Sequence, residues 1–178
     1  MLQQSKLRFS SLAAHRAAAV VLSPDRLTVT QTSRVDAWVR CERGFPPGCG
    51  AVKWVVKIGN DCGGNVNVLG VVSDAFTKYT EVYTSGSWIF QDDMIHVDGQ
   101  AVNGADGSPF FDTIFSGGDV VSVELERRPG QDGVMRVRVE GKVPKQDMTG
   151  LPRDGMLYPA VCVLNDKQSY TMLLHRRE

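Results

Sequence analysis

Apolar and polar residues alternate along this chain with the period of two expected of a strand covered on one face. Lys53–Ile58 places Trp54, Val56 and Ile58 on one side. Asp119–Leu125 does the same with Val121, Val123 and Leu125, and Val134–Val139 sets valine and methionine against arginine. Between these last two, Pro129-Gly130-Gln131-Asp132-Gly133 carries two turn signals, so an antiparallel hairpin is predicted. Val66–Val72 is almost wholly apolar or β-branched, the pattern of a strand buried on both faces. Shorter runs complete the series: Leu27–Thr30, Val35–Cys41, Phe76–Tyr83, Ser87–Phe90, Ile95–Val97, Tyr158–Leu164 and Ser169–Leu174.

Breaks between the runs are chemically distinct. Ser23-Pro24-Asp25 and Asp98-Gly99 favour tight turns, the second a hairpin. Gly44–Gly50 contains two prolines and three glycines, which cannot sit within a ladder. Pro144–Gly155 reads as a further loop. Apart from residues 1–16, no segment holds a 3.6-residue pattern long enough for a helix. Residues 1–16 are therefore expected to form an arm or short helix and residues 17–178 one all-β, two-sheet antiparallel sandwich or barrel.

Composition narrows the function classes. With 178 residues the chain can bury a sizeable core without a metal or disulfide. Lysine plus arginine and aspartate plus glutamate each number 20, giving a formal net charge of zero, so neither nucleic acid nor an anionic membrane is an expected partner. The longest apolar run, Ala17–Leu22, is too short to cross a bilayer. Cys41, Cys49, Cys62 and Cys162 match no zinc or thioredoxin spacing. They read as reduced thiols in an intracellular protein, with a Cys41–Cys49 link as the alternative. The acid-poor first 24 residues leave a mitochondrial address open beside the expected cytoplasmic one.

No catalytic or metal-binding constellation stands out, and no cofactor is expected. His15, His96 and His175 are scattered without ligand spacing or a Ser-His-Asp signature. Asp92, Asp93 and Asp98 near His96 could form a cation site or carboxylate pair, although a hydrated acidic loop accounts for them more simply. In the proline-rich loop, Arg43 and Phe45 are candidates for a secondary binding loop, with Phe45 either an exposed apolar knob or a local plug. Trp54 and Trp88 fall at core positions.

Read in order, several phrases resemble the SPRY domain family. These are Val21-Leu22-Ser23-Pro24-Asp25-Arg26-Leu27-Thr28-Val29, looking like that family's opening strand, then Trp54-Val55-Val56-Lys57-Ile58, Leu69-Gly70-Val71-Val72 and Trp88. Gly117-Gly118-Asp119-Val120-Val121, Gly141-Lys142 and Leu157-Tyr158-Pro159-Ala160-Val161 follow, so that the likeness spans residues 17–174. Departures at Val55, Ser122, Glu126 and Val137–Val139 mark a diverged member.

The resemblance implies a bent, concanavalin-like sandwich acting as a non-catalytic protein-interaction module, an adaptor or a subunit of a larger complex. It would bind a peptide or folded partner through loops at one end. It points to Ser33, Arg34 and Val35, to Lys78, Tyr79 and Tyr83, and to Leu164, Asn165 and Asp166. Arginine and tyrosine are the types that dominate binding hot spots. The alternative is a lectin-like domain with Trp88, Asp92 and Asn103 supplying the sugar platform.

Overall fold

The computed structural model describes residues 7–60, 67–91, 94–102, 116–140 and 147–177. Among them, a 3₁₀ turn at Ala13–His15 precedes thirteen strands: β1 Val20–Leu22, β2 Thr28–Gln31, β3 Ala37–Arg40, β4 Gly50–Ile58, β5 Val68–Ser73, β6 Ser87–Gln91, β7 Met94–Val97, β8 Gln100–Val102, β9 Val120–Arg127, β10 Gly133–Val139, β11 Met148–Leu151, β12 Leu157–Val163 and β13 Ser169–Arg177. They form two antiparallel sheets, β1-β2-β13-β4-β9-β10-β11 and β3-β12-β5-β6-β7-β8. The all-β sandwich expected from the alternation is the fold.

The core lies where the alternation predicts. Val52, Trp54, Val56 and Ile58 of β4 join Val121, Val123 and Leu125 of β9 and Met135, Val137 and Val139 of β10, all buried. The register aligns Trp54 with Val123 and Val123 with Val137, so each apolar row runs unbroken across three strands. In β5, Val68–Val72 is buried throughout, as its apolar run predicts. Gly70 permits this: a Cβ there would lie 2.1 Å from the Trp88 carbonyl oxygen of the neighbouring strand.

Other expectations are corrected. The opening phrase Val21–Val29 is a hairpin, because Ser23 and Asp25 side chains turn the chain between β1 and β2. The Pro144–Gly155 loop contains β11, a short edge strand whose Met148 and Leu151 alone face inward. Phe76–Tyr83 is a loop of turns rather than a strand.

The N-terminal residues bind the edge of the six-stranded sheet. Phe9 pairs with Cys41 and Arg16 with Val39 as isolated bridges, while Leu7 and Phe9 are buried. This segment covers the outer edge of β3, which would otherwise present unpaired backbone groups.

Buried polar groups fix the two ends of the sandwich. At one end, Arg127 continues the inward parity of Val121, Val123 and Leu125 and is 2% exposed. Its guanidinium donates from Nη1 to the carbonyls of Phe45 (2.7 Å) and Gly155 (2.8 Å), and from Nη2 to that of Pro152 (2.9 Å). At the other end, the Tyr170 hydroxyl accepts from the Val68 N–H at 3.0 Å, and Gln168 Nε2 donates to Asn67 Oδ1 at 3.0 Å.

Candidate functional site

The three loops singled out in the sequence converge. Gln31 and Gln168 exchange strand-like contacts, with Gln31 N–H donating to the Gln168 carbonyl and Lys167 N–H to that of Gln31. Buried Gln31 also donates its side-chain amide to the carbonyls of Val35 and Val163. The first loop reaches the second where the Val82 N–H bonds the Asp36 carboxyl. Loop 164–167 is itself held, since Gln168 Oε1 accepts from Leu164 and Asn165 N–H at 2.7 and 3.2 Å. A loop surface backed by such buried hydrogen bonds loses little conformational freedom on binding.

The segment 74–86 is anchored by Trp38. Its backbone N–H donates to the Tyr79 carbonyl (2.9 Å) and its indole Nε1 to that of Glu81 (2.8 Å). Phe76, Tyr79 and Val82 all turn inward at a spacing of three residues. Phe76 bridges the Trp38 and Tyr79 rings, with centroids 5.4 and 5.1 Å away. Tyr79, expected on the outer surface of the loop, instead points inward, because turn geometry rather than strand alternation sets its direction.

What remains outward is a compact set. Arg34 and Val35 are exposed, and Arg34 makes no ion pair among the described residues. Lys78 is exposed and pairs with Glu81 at 3.0 Å, a surface contact of small energetic weight. Tyr83 is 52% exposed, yet its ring lies on that of His96, with centroids 4.5 Å apart and planes at 16°. Ser33, Asn165 and Asp166 are half-buried, and Leu164 packs against the core. Lys78, Glu81 and Tyr83 also border a groove of about 560 Å³ that reaches Trp88 and Asp98.

The proposed secondary loop lies elsewhere. Phe45 pairs with Leu157 at the start of β12, whereas loop 164–167 follows its end, about 20 Å away by strand rise. Phe45 is fully buried and stacks on Trp54 at 5.9 Å. Of the two alternatives, knob or plug, the plug is found: the adjacent prolines stay outside and the ring seals the core's end, leaving Arg43 exposed.

The lectin platform fares no better. Trp88 is 7% exposed within β6, so it offers no ring to a sugar. Asp92, Asp93 and Asn103 lie outside the described residues, as does Cys62. Of the other cysteines, Cys41, Cys49 and Cys162 form no disulfide, so Cys41 and Cys49 are not linked. Burial raises the pKa of Cys41 and Cys162, opposite to what a reactive thiolate requires. No group of three potential metal ligands occurs among the described residues.

Among the described residues one serine–histidine contact occurs, and it runs the wrong way for catalysis. His15 Nε2 lies 2.6 Å from Arg40 Nη2, and arginine only donates, so Nε2 accepts. The proton then sits on Nδ1 and is donated to Ser10 Oγ, 2.9 Å away. That imidazole cannot take a proton from the serine.

Burial, and then the Arg40 charge, depress the pKa of His15; burial alone depresses that of His96. Both histidines therefore take up a proton less readily in the fold than in the unfolded chain, where they titrate near 6.5. Below that value the unfolded chain binds more protons, so stability is full above about pH 6.5 and falls as the medium becomes more acid. Urea unfolding at about pH 7 and about pH 5 is expected to show the lower midpoint at the acid end. His96→Phe, which keeps a ring under Tyr83, should remove part of that dependence.

Sequence reasoning missed Trp38, Gln31 and Gln168, the residues that assemble the loops. Trp38 had a signal, an aromatic opposite Ala37 and Val39 in a strand buried on both faces. The two glutamines had none, since nothing local separates a buried glutamine from a solvated one.

Neither a family model nor a curated protein matches the sequence. Solved structures do. The SPRY domain of human HERC1 superposes with a TM-score of 0.71 at 14% identity, covering 93% of this chain and 97% of that one. The TRIM65 PSpry domain gives 0.64 at 17% identity, covering 95% and 92%. The Emp46p carbohydrate recognition domain gives 0.55 at 9%, covering 90% and 85%. At such identities the likeness is one of fold, and the fold of this chain is that of an SPRY domain.

Proposed function

We propose that this chain is a non-catalytic protein-interaction module that takes a short peptide, or an exposed segment of a folded partner, on the surface formed by residues 33–36, 77–83 and 164–167. The observation that carries this reading is the linkage of three sequence-distant loops, the first to the third through Gln31 and Gln168 and to the second through Asp36 and Val82, with Trp38 beneath. Rigid scaffolds that gather loops in this way are the usual platforms for recognition.

Arg34 supplies an unpaired cation, while Val35 and Tyr83 supply exposed apolar area. Such a set suits a peptide that brings an apolar side chain next to a carboxylate. On this reading the chain serves as an adaptor or a subunit of a larger complex.

The test is selection of short peptides from a display library on the intact chain, followed by calorimetry. Arg34→Ala/Val35→Ala/Tyr83→Ala should weaken the selected peptides by tenfold or more while leaving the fold intact, given the usual weight of arginine and tyrosine at interfaces. Unchanged affinity in that variant would place binding elsewhere. Glycan binding that survives competition by the peptides would favour a lectin instead.

A further inference from the structure

Arg40 is the least satisfied charged group among the described residues. It projects from β3 onto the side of the sheet covered by the N-terminal segment and Tyr79, and it is 6% exposed. Its guanidinium lies over the Tyr158 ring, 3.8 Å from the centroid. Gly44 packs against the same ring, so closely that a Cβ there would come within 2.8 Å of it. Tyr158 is thereby fixed as a floor for the cation.

Only one of the three guanidinium nitrogens has a partner, Nη2 against neutral His15; Nε and Nη1 are buried with none. Arginine cannot shed its charge on burial. The carboxylate nearest in sequence, Glu42, is engaged by Arg26 at 2.7 Å. A second donor nearby is also idle, since the buried Tyr79 hydroxyl has no partner. Burial raises its pKa, and the adjacent Arg40 charge opposes that rise. An unpaired buried charge is strongly unfavourable; the two unused guanidinium nitrogens can only donate, and the Tyr79 hydroxyl can donate beside them.

We propose that Arg40 is the centre of a site for a small oxyanion, a carboxylate or a phosphate group, bound by its Nε–H and Nη1–H groups and by the Tyr79 hydroxyl. The complement these donors lack is an acceptor carrying negative charge, and oxyanions meet guanidinium groups with short, charge-assisted hydrogen bonds. What covers the site is slight. It is the stretch of residues 10–15, held on either side by the Phe9–Cys41 and Arg16–Val39 bridges, with Leu12, Ala13 and Ala14 exposed. His15, neutral and hydrogen-bonded on both nitrogens, holds the guanidinium in place without competing as an anion.

The experiment is thermal unfolding of the whole chain in inorganic phosphate and, separately, in acetate, with ionic strength held constant by chloride. Wild type should gain about 5–10 °C once the effective anion is at about 100 times its dissociation constant. Arg40→Met, which keeps an apolar stem against Tyr158, should gain nothing. Tyr79→Phe should bind roughly tenfold more weakly, the loss of one hydrogen bond to a charged group.

A response to phosphate alone identifies a phosphoryl ligand; a response to acetate identifies a carboxylate, such as a partner's acidic side chain. Should Arg40→Met fail to fold, the Arg40 Nε–H resonance of ¹⁵N-labelled wild type gives the same answer by moving with the anion. No response to either anion, or an equal response in Arg40→Met, overturns the proposal and leaves buried water as the partner of Arg40.

Discussion

Arg127→Met is expected to lower the folding free energy by about 3–5 kcal/mol, since it removes about two charge-assisted hydrogen bonds' worth of stabilisation from buried carbonyls left without this donor. The methionine would fill much of the volume, so the loss is one of hydrogen bonding rather than packing. Five carbonyls, those of Phe45, Pro152, Arg153, Asp154 and Gly155, turn toward this one guanidinium at 2.7–3.3 Å. Without it the buried Phe45 carbonyl has no donor from this side chain, and the 152–155 turn loses what draws it onto the sandwich. Burial lowers the Arg127 pKa, but the group stays charged at any pH where the fold exists. The midpoint of thermal unfolding should fall by about 10 °C. Arg153→Met is the control: its bond to Asp132 is exposed, and the midpoint should hardly move. Equal behaviour of the two variants would mean that the carbonyl cluster does not hold this end of the core.

Trp38→Ala is expected to cost a similar amount, about 3–5 kcal/mol, for a different reason. The indole is 1% exposed and packs edge-on against Phe76, so truncation opens a cavity beneath the 74–86 segment. It also removes the donor that holds the Glu81 carbonyl at 2.8 Å. The damage should therefore be local as well as global. Tryptic cleavage after Lys78 should accelerate more than the change in overall stability explains, while sites such as Arg128 follow stability alone. Trp38→Phe, which keeps the ring but not the N–H, should fall between the two chains on both measures. Cleavage after Lys78 that merely tracks global unfolding would show that the loop is held by something other than Trp38.

These two residues also show where the sequence was readable. β4, β9 and β10 each have one face in the core and one toward solvent, so alternation locates them directly. Extending that alternation from Leu125 by one step points Arg127 inward, and only the habit of placing arginine outside hides it. β8 could not be found the same way, since Gln100, Ala101 and Val102 are all exposed and no face selects them.

Within the candidate site, the family resemblance pointed to three loops that the fold links by hydrogen bonds, but the direction of their side chains was not legible. Lys78 and Tyr83 point out and Tyr79 points in, because the segment is a succession of turns pinned by Trp38 from another strand. Phe45 was ambiguous for a related reason: whether a loop aromatic is a knob or a plug depends on Trp54 and Leu157, neither of them local.

The central claim, that the three converging loops form the recognition surface, is tested most directly by amide hydrogen exchange of the chain with and without a peptide selected on it. Slowed exchange at residues 31–36, 77–83 and 164–168 together is the result this account predicts. Slowed exchange confined to residues 43–49 and 128–132, at the Phe45 end, with the three loops unchanged, would contradict it.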